Sequence, residues 1–309
     1  MEEIVRLHDV TKFIAGHEVV SNVTMSVRKG EIYGLLGPNG SGKTVIMKML
    51  TNLVKPSYGT IDMFGEPIKA SSYQYLSRVG SMIEYPTFYE KKTAQQNLQL
   101  VSEYMGYYDP NAINEVLEWV ELEQVQHKPV HTFSLGMKQR LGIARAMLVK
   151  PELLILDEPM NGLDPSGIKT VREMFQMMSQ EYGTTLIVSS HLLSEVELFA
   201  DRIGVIKNGK WLQEISMKAL KEENTEYIEI LTANQKQACF VLEDVLQLSN
   251  FKALHNNTIR VYEAGHRQNE ITQAMLDHHV EIEAISKKYK SLEEYFHQVL
   301  DQEKAQEEE

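Results

Sequence analysis

The chain is expected to be an α/β protein carrying a small second domain, and three observations support that expectation. Up to about residue 215, short β-branched runs alternate with longer helical stretches, the rhythm of strands connected by helices. Leu153–Leu156 and Thr185–Ser189 are near-continuous apolar runs, as expected of sheet strands covered on both faces. After Trp211 the alternation changes to the order β-α-β-β-α-β, which implies a second, smaller α+β unit.

The elements follow in order. Ile4–Val10 and His17–Val27 read as an antiparallel opening, and Ile32–Leu36 as a buried strand running into a glycine-rich turn and a helix, Thr44–Leu53. Residues 93–128 are mainly helical, with Leu98, Val101, Tyr104 and Met105 spaced to share one face. In the second unit the strands are Tyr227–Leu231, Phe251–His255, Ile259–Tyr262 and Val280–Ile285; one helix runs to about Leu246 and another spans Gln268–His278. That order matches a ferredoxin-like unit. A last amphipathic helix, Ser291–Leu300, leads into the acidic stretch Asp301–Glu309, expected to be solvated and frayed. The domain boundary is placed between 218 and 219, with a helical part at about 88–150 inside the first domain.

A chain of 309 residues, 43% hydrophobic and 24% charged, is long enough to bury real cores and is not of disordered composition. A formal net charge of −12 gives no general attraction to nucleic acid or anionic lipid. Cys239 is the single cysteine, so no intrachain disulfide forms, which suits a reducing compartment. The opening MEEIVRLHDV has no basic-then-apolar leader, and no window approaches the roughly 18 apolar residues that cross a bilayer. The expectation is a chain that does not span a membrane but can dock on one that does.

The strongest chemical signal is the run Gly37, Pro38, Asn39, Gly40, Ser41, Gly42, Lys43, Thr44. It fits G-x-x-x-x-G-K-[ST] between a predicted strand and a predicted helix, the context in which backbone N–H groups and a helix N-terminus cradle a polyphosphate. Lys43 would reach the β- and γ-phosphates, and the Thr44 hydroxyl would bind Mg²⁺. The strand Leu153–Leu156 then delivers Asp157 and Glu158 together at its carboxyl end, where open α/β sheets bind ligands. Asp157 is placed to hold Mg²⁺, and Glu158 to take a proton from a water attacking the γ-phosphate. A third carboxylate, Glu84, ends the apolar run Val79–Ile83 beside the expected metal site, where it would complete the Mg²⁺ shell directly or through water; the plainer reading is a solvated strand-end residue.

Between these elements, Phe133–Met147 (FSLGMKQRLGIARAM) resembles the signature of ATP-binding-cassette (ABC) ATPases, usually L-S-G-G-Q followed by an arginine-rich helix. Ser134 and Gly136 match its serine and second glycine, whereas Leu135 and Met137 depart from the first glycine and the glutamine. The resemblance covers roughly residues 2–215. It implies a P-loop NTPase cassette with a RecA-like core, an antiparallel β subdomain and a helical subdomain. It further implies that Asp164 is the D-loop aspartate, that His191 contacts the γ-phosphate, and that Phe13 stacks on adenine. Ser134 is in any case expected to cap a helix. The S-L-G-M-K-Q-R-L run, with Glu84 at the usual Q-loop glutamine, resembles the branch that exports bacitracin and lantibiotics. The resemblance implies an ATPase using ATP and Mg²⁺, a second nucleotide-binding subunit paired head-to-tail, and a separate integral-membrane permease docked on the helical part at the inner face of the cell membrane. Export of a drug or lipid, and a non-transport cassette protein, are the rival readings.

Overall fold

The computed structural model describes residues 2–69, 71, 73–223, 227–262, 267–288 and 291–307. Two compact units form, one of Met1–Met217 together with Phe296–Glu309, the other of Lys218–Tyr295.

The first unit is built on ten strands: β1 (Glu3–Ile14), β2 (His17–Arg28), β3 (Ile32–Leu36), β4 (Tyr58–Met63), β5 (Glu66–Pro67), β6 (Val79–Met82), β7 (Leu153–Leu156), β8 (Thr185–Ser190), β9 (Arg202–Lys207) and β10 (Lys210–Ser216). Their order is β5-β4-β1-β2-β10-β9-β3-β8-β7-β6. The half from β9 to β6 is parallel, whereas β1, β2, β4 and β5 pair antiparallel. Parallel strands need long crossovers, and here helices supply them: α1 (Lys43–Leu50), α2 (Ala94–Met105), α3 (Ala112–Trp119), α4 (Leu135–Met147), α5 (Pro165–Gln180) and α6 (Leu193–Val196), before α7 (Met217–Glu223) follows the sheet. Strands β3 and β7 are buried along their whole length, which is why they read as unbroken apolar runs. Leu35, Ile155 and Ile187 join Met47 and Leu50 of α1 in one core that anchors the strand ends carrying the site. Truncating such a side chain to alanine costs about 2–5 kcal/mol.

In α2 the expected apolar face is not the buried one. Leu98 is buried, but Tyr104 is 91% exposed and Met105 is also exposed; Ala94, Asn97, Leu98 and Ser102 face inward instead. The reason lies in polar contacts. Asn97 Nδ2 donates to the Tyr89 and Thr93 carbonyls, and the Ser102 hydroxyl donates to the Tyr107 carbonyl, so these side chains satisfy the backbone of the adjoining turns. The helix starts at a capping box between Thr93 and Gln96 and stops at Gly106, which takes the left-handed backbone that ends helices.

The second unit holds β11 (Tyr227–Leu231), α8 (Gln235–Phe240), β12 (Phe251–Ala253), β13 (Thr258–Val261), α9 (Gln268–Asp277) and β14 (Ala284–Lys288). Its sheet runs β12-β13-β11-β14, all antiparallel, so each helix crosses over a strand inserted between its neighbours. The last strand begins later than the Val280–Ile285 expected. Val280 instead closes α9, donating its N–H to the Met275 carbonyl at 2.8 Å, and its side chain is buried in this unit's core. The final helix also departs from expectation: α10 (Leu292–Glu307) continues through most of the stretch assigned to a frayed tail, while residues 308 and 309 lie outside the described residues. Its residues from Phe296 onward group with the first unit, rather than with a domain starting at 219. In this part Phe296 and Val299 are buried, and Glu303 meets Lys207 of β9 at 2.6 Å, both side chains largely buried.

Candidate active site

The loop between β3 and α1 is made by glycine chemistry. Gly40 and Gly42 take φ of 79° and 106°, a backbone region that side-chain-bearing residues avoid. A Cβ on Gly37 would lie 2.2 Å from the Ile206 carbonyl oxygen, and one on Gly42 would lie 2.8 Å from that of Val19, so the loop packs directly on neighbouring backbone. Within it, the Ser41 N–H donates to the Pro38 carbonyl at 3.2 Å and closes the turn through Asn39, and the Gly209 N–H donates to the Ser41 carbonyl at 3.0 Å. Lys43 Nζ folds back over the loop, donating to the carbonyls of Gly37 (2.7 Å) and Pro38 (3.1 Å). Burial lowers its pKa from the ordinary lysine value, opposed by the nearby charges of Glu158 and Asp157.

The end of β7 meets this loop. Thr44 Oγ1 donates to Asp157 Oδ2 at 2.7 Å, and Ser189 Oγ, from β8, donates to Asp157 Oδ1 at 2.7 Å. The same Ser189 oxygen accepts from the Glu158 N–H at 2.8 Å. Glu158 has φ of 47°, an uncommon conformation for a non-glycine residue. Its Oε2 lies 2.8 Å from His191 Nδ1, and its Oε1 lies 3.7 Å from Lys43 Nζ. Gln139 of α4, itself buried, donates Nε2 to the Glu158 carbonyl at 3.2 Å. A carboxylate held at Oε2 by His191 and at both backbone ends, with its buried Oε1 left without a hydrogen-bond partner among the described residues, is oriented for proton transfer. The glycine cradle, the buried Ser41 hydroxyl without a partner among the described residues, and the all-oxygen pair Thr44–Asp157 fit a polyphosphate with a hard cation.

Glu84 lies in the same cavity as Asp157 and Glu158, with a charge partner of its own. It follows β6 with φ of 62°, and it lines a cavity with Tyr85, Gln139, Asp157, Glu158 and Asn161. Its carboxylate, however, is bound by Lys48 of α1 at 2.5 Å. Among the described residues no group of three or more His, Cys, Asp or Glu side chains is arranged to hold a metal, so Glu84 is not gathered with Asp157 and Glu158 into one ligand cluster. Phe13 is 40% exposed, in an edge-to-face contact with Tyr58 at 6.3 Å between centroids, so it is not a core residue.

Ser134 and Asp164 open two helices, α4 and α5, and the start of α4 meets the loop before α5. Ser134 caps α4 by accepting from the Met137 N–H at 3.2 Å, and Asp164 caps α5 by accepting from the Gly167 N–H at 3.1 Å. A Cβ on Gly136 would lie 3.2 Å from the Gly162 carbonyl oxygen, so the start of α4 packs on the loop before Asp164. No hydrogen bond joins these three residues to Gly37–Thr44 among the described residues. Ser189, Gln139 and Lys48 were not singled out from the sequence. Ser189 is a hydroxyl inside a strand that is buried at every position, a signal in hindsight; the other two show only once α1 and α4 meet the strand ends.

Comparisons with known proteins agree with this geometry. A family profile described as "ABC transporter" matches residues 20–161. The chain is 60% identical over 296 residues to an uncharacterized ABC transporter ATP-binding protein, YcbN, of Bacillus subtilis, covering 96% of both. It is 41% identical to the bacitracin transport ATP-binding protein BcrA of Bacillus licheniformis, covering 96% of this chain and 97% of that one. It is 42% identical to the lantibiotic transport ATP-binding protein SrtF of Streptococcus pyogenes, covering 75% of this chain and 97% of that one. Among solved structures, the ATP-binding subunit of an ABC transporter superposes with a TM-score of 0.65 at 27% identity, covering 71% of this chain and 92% of that one. A dimeric cassette bound to ADP and Pi, at 24% identity and a TM-score of 0.63, covers 69% of this chain and 99% of that one, and shares the fold. The chain therefore belongs to the ABC transporter ATP-binding family, the cassette ATPases coupled to transport.

Proposed function

We propose that the chain is the ATP-hydrolysing subunit of an exporter for a peptide antibiotic of the bacitracin or lantibiotic kind, giving its cell immunity through a separate membrane permease. The observation that carries the export reading is the match to the bacitracin transport protein over nearly the whole chain, second unit included, rather than over the cassette alone. No described helix is long and apolar enough to cross a membrane, so the reading places this chain peripherally at the inner face, on its permease. The exposed groove lined by Phe88, Tyr89, Leu100, Tyr104 and Arg145 is the surface assigned to that partner.

In this reading Gly37–Thr44 cradles the phosphates of ATP, and Phe13 offers its exposed ring to the adenine. Thr44 and Asp157 would hold Mg²⁺, and Glu84, which lines the same cavity as Asp157, would complete its shell directly or through water; when bound, the cation neutralises charge on the phosphate oxygens. Glu158 accepts the proton of the attacking water, oriented by His191 and by the Ser189 and Gln139 bonds to its backbone. Ser134, Gly136 and Asp164 form a surface for the phosphates bound by a second cassette: Ser134 and Asp164 each cap a helix N-terminus, and Gly136 packs on the loop just before Asp164. A head-to-tail pair would then separate when the phosphate linking its halves is cleaved.

The test is to purify the tagged chain from its native membranes in detergent and to identify what accompanies it, while measuring bacitracin and lantibiotic tolerance after deletion. A co-purifying multi-span permease and lost tolerance are expected. A chain recovered without any membrane protein would overturn the transporter reading, and unchanged tolerance would overturn the cargo.

A further inference from the structure

The ion pair between Lys48 and Glu84 joins two elements that the active site uses separately. Lys48 lies on α1, the helix that opens with Lys43 and Thr44. Glu84 follows β6, whose Met82 carbonyl accepts the Asp157 N–H at 2.8 Å. The three carboxylates lining the cavity are balanced unequally. Asp157 takes two hydroxyl donors, and Glu158 has His191 at hydrogen-bond distance and Lys43 close by. For Glu84 the balancing group is Lys48, at 2.5 Å. Glu84 also holds a left-handed backbone, a strained conformation that persists only where the surroundings fix it.

We propose that Lys48 is a positioning residue for Glu84: the pair fixes this carboxylate, and the chain segment after β6, against the helix of the phosphate loop. Glutamate at this position then works as one half of a two-residue device, whose other half is a lysine on α1. The inference rests on the reading of Glu84 as part of the ATP-hydrolysing site. A plain surface ion pair is the competing explanation, since Glu84 is 63% exposed and such pairs add little to stability.

The experiment is a double-mutant cycle on the full chain, with Lys48→Met, Lys48→Arg, Glu84→Gln and Lys48→Met/Glu84→Gln. The first readout, without nucleotide, is hydrogen exchange of a peptide spanning residues 79–92. Loss of the pair is expected to speed exchange about two- to fivefold in Lys48→Met, to the same level in Glu84→Gln, and no further in the double variant. Lys48→Arg should retain the wild-type rate. The second readout is the Mg²⁺ concentration giving half-maximal ATP turnover, which Lys48→Met should shift in the wild-type background and leave alone in Glu84→Gln. Unchanged exchange in Lys48→Met, or equal effects of Lys48→Met with and without Glu84→Gln, would overturn the proposal. A wild type that turns over no ATP would instead overturn the functional reading, a failure the exchange measurement keeps separate.

Discussion

Strands β6 and β7 lie side by side and parallel, and each is followed by a glutamate in a left-handed backbone: Glu84 with φ of 62° and Glu158 with φ of 47°. The two residues share a cavity, yet their surroundings differ. Glu158 is held at its carboxylate by His191, with Lys43 nearby, and at its backbone by Ser189 and Gln139. Glu84 stands on the exposed rim, with Lys48 as its charge partner. The contrast separates a carboxylate held by several groups from one held by a single partner. Several partners from different elements fix Glu158 for chemistry, whereas Glu84 is positioned by a single ion pair at the rim.

The comparison is broken most severely by removing the charge on which both sides of the Glu158 site depend. Lys43→Ala should abolish measurable ATP binding by calorimetry, because the cation facing the phosphates and Glu158 is gone; wild-type affinity would refute its assignment. Glu158→Gln should bind ATP normally and lose about 10²–10⁴-fold in turnover. With hydrolysis blocked, it should accumulate as a nucleotide-bound dimer in size-exclusion chromatography, and a profile like the wild type's with ATP would contradict head-to-tail pairing. Ser189→Ala is gentler. It withdraws a donor from Asp157 and the acceptor of the Glu158 N–H, which costs about 1–3 kcal/mol for the groups left unpaired. Turnover about tenfold lower is expected, and unchanged turnover would show that the shared hydroxyl does not orient the pair. Smallest is Glu303→Ala, remote from both glutamates. Losing the partner of Lys207 should lower the melting temperature by about 2–4 °C while leaving turnover intact.

Much of the Glu158 side was legible in the sequence. Gly37–Thr44 announces its loop because few sequences tolerate positive φ at two places before a lysine and a hydroxyl, and Asp157 and Glu158 follow an unmistakable apolar run. Ser134 was readable as a cap because capping is a local matter. The Glu84 side was not readable in the same way. Lys48 meets Glu84 only when α1 packs beside the end of β6, and nothing local to either residue encodes that encounter. The same holds for Glu303, whose partner Lys207 lies on β9, far from it in sequence. Tyr104 misleads for a related reason: its apolar spacing is real, but Asn97 and Ser102 claim the inner face through bonds to turns that periodicity does not register.

The most direct test of the account is to measure ATP turnover for wild type, Glu158→Gln and Glu84→Gln side by side across a Mg²⁺ titration. The amide retains the shape of each side chain and removes its charge. At saturating Mg²⁺, Glu84→Gln is expected to stay within about tenfold of wild type, because an amide oxygen still serves beside a hard cation, while Glu158→Gln falls by about 10²–10⁴-fold at every concentration. Equal losses in the two variants, or a larger loss in Glu84→Gln, would contradict the assignment of Glu158 as the base and of Glu84 as its supporting neighbour.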